Sequence, residues 1–188
     1  PNDAVQLLHD VTTESYPLVA RYYKLKKQLL NLPDMALSDI YAPIPESSKT
    51  YTWEESKSIV LDSFKRFDSE FYDFAMKMYD ENRVHGPVQP KKRGGAYCSS
   101  STPDVGPYVM LNYLGRPRDI STISHEFGHA IHAYYSNKQP LWSYHAILPL
   151  CETASVFSEM VLMDYMREKE TDTQAKIVML CDKIEDLF

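Results

Sequence analysis

The run Ser124-His125-Glu126-Phe127-Gly128-His129 holds the residues best placed for chemistry. On a helix, with about 100° between successive residues, His125 and His129 lie one turn apart on one face, so both imidazoles can reach one metal ion. Glu126 falls about 60° round from His129, beside the ion but off the ligand axis. Zinc suits such a site, because catalytic zinc takes three N or O ligands from the protein and leaves a fourth position for water. The ion lowers the pKa of that water to about 7, and a neighbouring carboxylate can take its proton as a carbonyl is attacked. Amide hydrolysis is the reaction this arrangement serves.

A third ligand has to come from elsewhere. The metzincin pattern wants Gly three residues and His six residues after the second His, where this chain has His132 and Tyr135, so that class is excluded. A Glu from a following helix is the alternative, and Glu152 lies 23 residues after His129. Two antiparallel helices joined by a loop around Asn137 to Tyr144 would return Glu152 to both imidazoles. Ser155 and Glu159 share the face of Glu152, at three and seven residues on. They are placed to hydrogen-bond the ligands, since a metal-bound His donates its other N–H to a carboxylate or carbonyl. His132 sits on the metal face one turn further along and reads as a packing or supporting neighbour. Gly128 in mid-helix costs about 1 kcal/mol relative to Ala, which implies that another element passes close there.

The elements that must carry these residues are mostly helices. Val19, Tyr22, Tyr23, Leu25, Leu29 and Leu30 form one apolar stripe ending at Leu32-Pro33, and Tyr41 to Pro45 reads as an extended linker. Thr52 with Glu55 predicts a capping box that starts a helix near Trp53, carried through Phe64, Phe67, Phe71, Phe74 and Met78 to about Glu81. From Gly86 to Gly95 the run of Pro, Gly and charge predicts a loop. The Lys91-Lys-Arg93 cluster in it reads as solvated, with a role in holding a peptide carboxylate as the alternative. Tyr108 to Tyr113 predicts a strand with Ala96 to Ser99 as its partner. Asp119 is placed to cap a helix reaching about Ser136, a second runs from about Leu148 to Glu168, and a last one starts at Thr171. The expected class is thus mainly α with a small antiparallel sheet. One partial catalytic domain spans 1–188, with helices over about 1–85, a loop and edge strand over about 86–118, the zinc helix pair over about 119–170 and a further helix from 171.

These residues resemble a known family. His125-Glu-Phe-Gly-His-Ala-Ile-His132 followed by Glu152-x-Ala-Ser-x-Phe-x-Glu159 is similar to the thimet oligopeptidase clan of zinc peptidases, and most of all to its oligoendopeptidase F branch. Asp39-Ile-Tyr-Ala-Pro43, Gly95-Ala-Tyr97, Pro107 to Gly115 and Tyr134 to Pro140 fit the same branch. The resemblance implies a zincin-like fold within a larger helical peptidase, one Zn2+ per chain held by His125, His129 and Glu152, and Glu126 as general base. It also implies short peptide substrates cleaved internally and laid along an edge strand here represented by Tyr108 to Tyr113, with Tyr97, Tyr108, Leu111 and Tyr113 as candidate contacts. Cys151 departs from the small residue more common in the branch. Family members are several times longer, and a C-terminal part supplies His and Tyr side chains to the oxyanion, so little or no activity is expected of these 188 residues alone. An aminopeptidase-like relative, or a chain that binds zinc without turnover, are the alternatives.

Composition narrows the setting. A net charge of −6 argues against a nucleic-acid partner. The three cysteines, Cys98, Cys151 and Cys181, have neither disulfide-framework nor zinc-ribbon spacing, which suits a reducing, cytoplasmic compartment. The longest charge-free stretch, Gln139 to Cys151, is too short to span a bilayer. The chain begins at Pro1 without Met and stops at Phe188 inside an amphipathic pattern, which reads as the middle of a longer protein.

Overall fold

The computed structural model describes residues 2–44 and 49–186. Pro45, at the end of the expected linker, and both chain ends, Pro1 and Phe188, lie outside the described residues. In chain order the elements are α1 (Asn2–Leu29), a 3-10 turn (Leu37–Tyr41), α2 (Trp53–Phe67), α3 (Ser69–Asp80), β1 (Val84–His85), β2 (Tyr97–Ser99), β3 (Tyr108–Met110), α4 (Pro117–Ser136), α5 (Leu141–Tyr144), α6 (Leu148–Lys169) and α7 (Thr173–Glu185). Among the described residues, no helix is long and apolar enough to cross a membrane. The chain divides into two compact units, residues 1–48 with 172–188, and residues 49–171.

In the first unit Tyr22, Ile44, Val178 and Cys181 form a small core of residues from α1, α7 and the segment after the 3-10 turn. Lys26 is almost fully buried, its ammonium 2.6 Å from both the Ile40 carbonyl and the Glu185 carboxylate. The Tyr22 hydroxyl also donates to Glu185. Such a pair is tolerated away from water because the ammonium keeps both a charge partner and a carbonyl acceptor. Tyr41 belongs to the 3-10 turn rather than to an extended segment, because the Asp39 carboxylate accepts the Ala36 N–H and tightens the chain there.

The second unit carries the candidate site. The capping box forms as expected, with Thr52 accepting from the Glu55 N–H and Glu55 accepting from the Thr52 N–H. The helix does not run on to Glu81. Asp68 is extended, with φ −157° and ψ 134°, and its carboxylate accepts the Glu70 N–H, so α2 stops and α3 restarts. Asp119 is not the N-cap that was expected: Pro117 opens α4 two residues earlier, and Asp119 sits in the first turn, where its Oδ2 accepts the N–H groups of Leu114 and Arg116 ahead of the helix.

The sheet is mixed rather than purely antiparallel. Its order is β1-β3-β2, with β2 antiparallel to β3 as expected and β1 parallel to β3. The strand at Tyr108 is therefore central, and the edge beside it is β2. Ile120, Ile123, Phe127, Ala130 and Ile131 turn one side of α4 into a core shared with Val60 and Phe64 of α2, Ala75 and Met78 of α3, Val109 and Leu111, and Leu162 of α6.

Candidate metal centre

Residues of α4 and α6 converge at the centre. His125 and His129 present Nε2 atoms 3.5 and 3.7 Å from Glu152 Oε2. The three ligand-capable atoms lie within 4.8 Å of one another. A tetrahedral ion with ligands about 2.0–2.1 Å away sets its ligand atoms about 3.4 Å apart, so this donor set fits one divalent cation.

The close approach of α6 explains why Gly128 is a glycine. A Cβ there would lie 2.6 Å from the Ala154 carbonyl, 2.7 Å from Ser155 Cα and 2.8 Å from Ser158 Cβ. Small residues continue the seam, with Ser124 Oγ donating to the Ser158 carbonyl at 2.9 Å. A bulkier contact would move α6 away and take Glu152 with it.

Neighbouring groups hold these side chains in place. Nδ1–H of His125 donates to Glu159 Oε1 at 2.6 Å, which fixes the ring and leaves Nε2 toward Glu152. That hydrogen bond, ahead of the opposing effect of burial, raises the His125 pKa. Burial lowers the pKa of His129, with His125 adding to the effect. Ser155 Oγ donates to Glu152 Oε2 at 2.9 Å and orients the carboxylate. His132 stands outside this group. It lines a cleft of about 450 Å³ together with His129, Glu152, Cys98, Ser101 and His145.

Glu126 is 5% exposed, and its Oε2 has no hydrogen-bond partner among the described residues. Burial pushes its pKa up to about 7, Glu152 pushes the same way, and His125 and the Cys98 backbone N–H pull it back. A carboxyl balanced near neutrality can both take and return a proton. A cation beside it would favour the ionised form.

Two expected substrate contacts face elsewhere. Leu111 is 1% exposed and packs in the core. Tyr113 donates its hydroxyl to the Tyr51 carbonyl at 2.7 Å and stacks edge-on against Trp53, so it ties the start of α2 to the end of the sheet. Tyr97 and Tyr108 are both about half-exposed, Tyr97 on the edge strand β2 and Tyr108 on β3 under the Arg83 guanidinium. Spacing could not show the edge position of β2, because strand order depends on contacts remote in sequence. Burial pushes the Cys98 thiol up to about 12, which removes it as a nucleophile at neutral pH. Its backbone contact with Glu126 left no signal in sequence.

The chain is similar to known peptidases in sequence and in fold. Oligopeptidase PepF of Bacillus subtilis is 29% identical over 188 residues, 98% of this chain and 28% of its own length. The oligoendopeptidase F homolog of Borreliella burgdorferi is 28% identical over 185 residues, 96% of this chain and 31% of its own length. The crystal structure named "putative peptidase from Chlamydophila abortus" superposes with a TM-score of 0.87 at 33% identity, over all of this chain and 32% of the other. PZ peptidase A, at 19% identity, shares the fold with a TM-score of 0.73 over 91% of this chain and 31% of its own. The chain thus spans less than a third of the length of these relatives. Peptidase family M3 matches it over residues 1–188, and the chain belongs to that family.

Proposed function

We propose that these residues form the metal-bearing catalytic segment of an oligoendopeptidase, which cleaves internal bonds of short peptides in the cytoplasm. The observation that carries the reading is the meeting of His125, His129 and Glu152 beside the buried, half-satisfied Glu126. The two imidazoles and one carboxylate would hold a single zinc ion, which when bound would polarise the scissile carbonyl and acidify an attacking water. Glu126 takes the proton from that water and delivers it to the leaving amine. Glu159 keeps the His125 ring in the tautomer that offers Nε2, and Ser155 keeps Glu152 turned toward the imidazoles. The peptide pairs in extended form with the outer edge of β2, where Tyr97 to Ser99 run beside Glu126. Cytoplasmic placement rests on three free cysteines.

The test is cleavage of an internally quenched peptide, blocked at both ends, by zinc-loaded chain at high concentration. Weak cleavage at most is expected of these residues by themselves, because the resemblance implies that His and Tyr from a C-terminal part of the family's chain serve the oxyanion. Glu126→Gln should keep the zinc and abolish that cleavage. Equal rates with and without Glu126 would overturn the proton-transfer role. A requirement for a free N-terminus would favour an aminopeptidase.

A further inference from the structure

The loop from β1 to β2 has one internal backbone hydrogen bond among the described residues, from the Lys92 N–H to the Gln89 carbonyl at 3.2 Å, and side chains supply its other ties. Lys92 turns its ammonium inward onto three carbonyl oxygens, Leu111 at 2.6 Å, Pro87 at 2.8 Å and His85 at 3.2 Å. An ammonium has three N–H donors and no acceptor, so this set satisfies it fully. No carboxylate pairs with it among the described residues, and burial alone lowers its pKa. Asn112 adds a second tie, its Nδ2 donating to the carbonyls of Arg93 at 2.9 Å and Gly95 at 3.0 Å. Lys91 and Gly95 both have positive φ, 65° and 81°, so the loop adopts a shape that these ties must maintain.

The location gives the ties their consequence. His85 is the last paired residue of β1, opposite Met110, and Leu111 follows directly after β3, its N–H donating to the His85 carbonyl at 3.1 Å. Two residues after Gly95 the chain becomes β2, the edge strand whose Cys98 N–H reaches Glu126 and whose Cys98 and Ser99 line the cleft with His129 and Glu152. A shift of Gly95 is therefore passed directly to the strand beside the metal centre.

We propose that Lys92 and Asn112 are positioning residues: by clasping five backbone carbonyls they fix the height of the β2 edge over Glu126, and with it the track on which a peptide substrate lies. This rests on the peptidase reading above for its substrate and on geometry alone for the clasp. It also gives one member of the Lys91-Lys-Arg93 cluster an internal role in place of a peptide-carboxylate contact.

The experiment compares the zinc-loaded chain with Lys92→Ala and with Asn112→Ser, the second being the milder change. Amide hydrogen exchange over Tyr97 to Ser99 should speed up by about tenfold or more in both variants, while exchange in α4 and zinc stoichiometry stay as in the parent. For peptide cleavage, KM should rise about tenfold with kcat within about threefold, and millimolar ethylammonium should restore KM in Lys92→Ala but not in Asn112→Ser. Unchanged exchange at β2 would overturn the proposal. So would faster exchange throughout the chain in both variants without rescue by ethylammonium, which marks general loss of stability. If the parent itself cleaves nothing, exchange at β2 with its rescue by ethylammonium decides the clasp, and zinc stoichiometry decides the metal site on which the peptidase reading rests.

Discussion

Toward α2 and α3, α4 presents large rings: Phe127 lies 6.0 Å from the Phe64 ring and 5.2 Å from that of Tyr79, with Ile120 and Ile123 fully buried beside it. Toward α6 it presents Gly128 and Ser124, against Ala154, Ser155 and Ser158. The first side buries much apolar area and can adjust by turning a ring, so it supplies stability. The second buries little side chain but brings two backbones together with no slack, so it sets where Glu152 stands relative to His125 and His129. One helix thus separates the holding of the fold from the spacing of the His125, His129 and Glu152 side chains.

That division can be broken from either side. Phe127→Ala should give the largest effect, a loss of about 3–5 kcal/mol read by urea unfolding, with zinc affinity of the folded fraction almost unchanged. A strong loss of affinity in that variant would show that the aromatic side also sets the ligand spacing. Gly128→Ala should do the reverse. Its Cβ meets backbone atoms rather than a movable side-chain end, so zinc affinity measured against a chromophoric chelator should fall about 100-fold while helix content by circular dichroism holds. Glu159→Gln leaves both packing surfaces intact and removes only the charged acceptor of the His125 N–H, so it should weaken zinc binding by about 10-fold to 30-fold, the low part of the usual range. An effect of Glu159→Gln equal to that of Gly128→Ala would place the control of affinity in the ring orientation instead of the helix spacing.

Helices α4 and α6 were legible because their information is local. The paired histidines, and the neighbours of Glu152 at three and seven residues on, follow from helical period, Glu152 itself only from supposing that the next helix returns antiparallel, and Gly128 announced a close approach without naming what approached. Ala154 and Ser155 are now that neighbour. The sheet was legible only in part. β2 and β3 are close in sequence and their pairing was expected, but β1 has two residues, Val84 and His85, too few to display a period, so its parallel place beside β3 could not be read. The resemblance assigns the substrate's edge strand to Tyr108 to Tyr113, but with β1 on one side and β2 on the other that strand is central, and Leu111 and Tyr113 face inward. The break at Asp68 was hidden for a different reason. The apolar register runs on across it, and only the carboxylate's bond to the Glu70 N–H interrupts the helix. Lys92 lay within a charged run that in sequence looks solvated, because its carbonyl partners come from backbone, which carries no residue signature.

The central claim is that His125, His129 and Glu152 act together as one metal centre, and equilibrium dialysis of the chain against Zn2+ tests it most directly. One ion per chain is predicted, with Glu152→Ala and His129→Ala each lowering affinity by about 100-fold or more. No bound zinc, or binding that survives both substitutions unchanged, would contradict it.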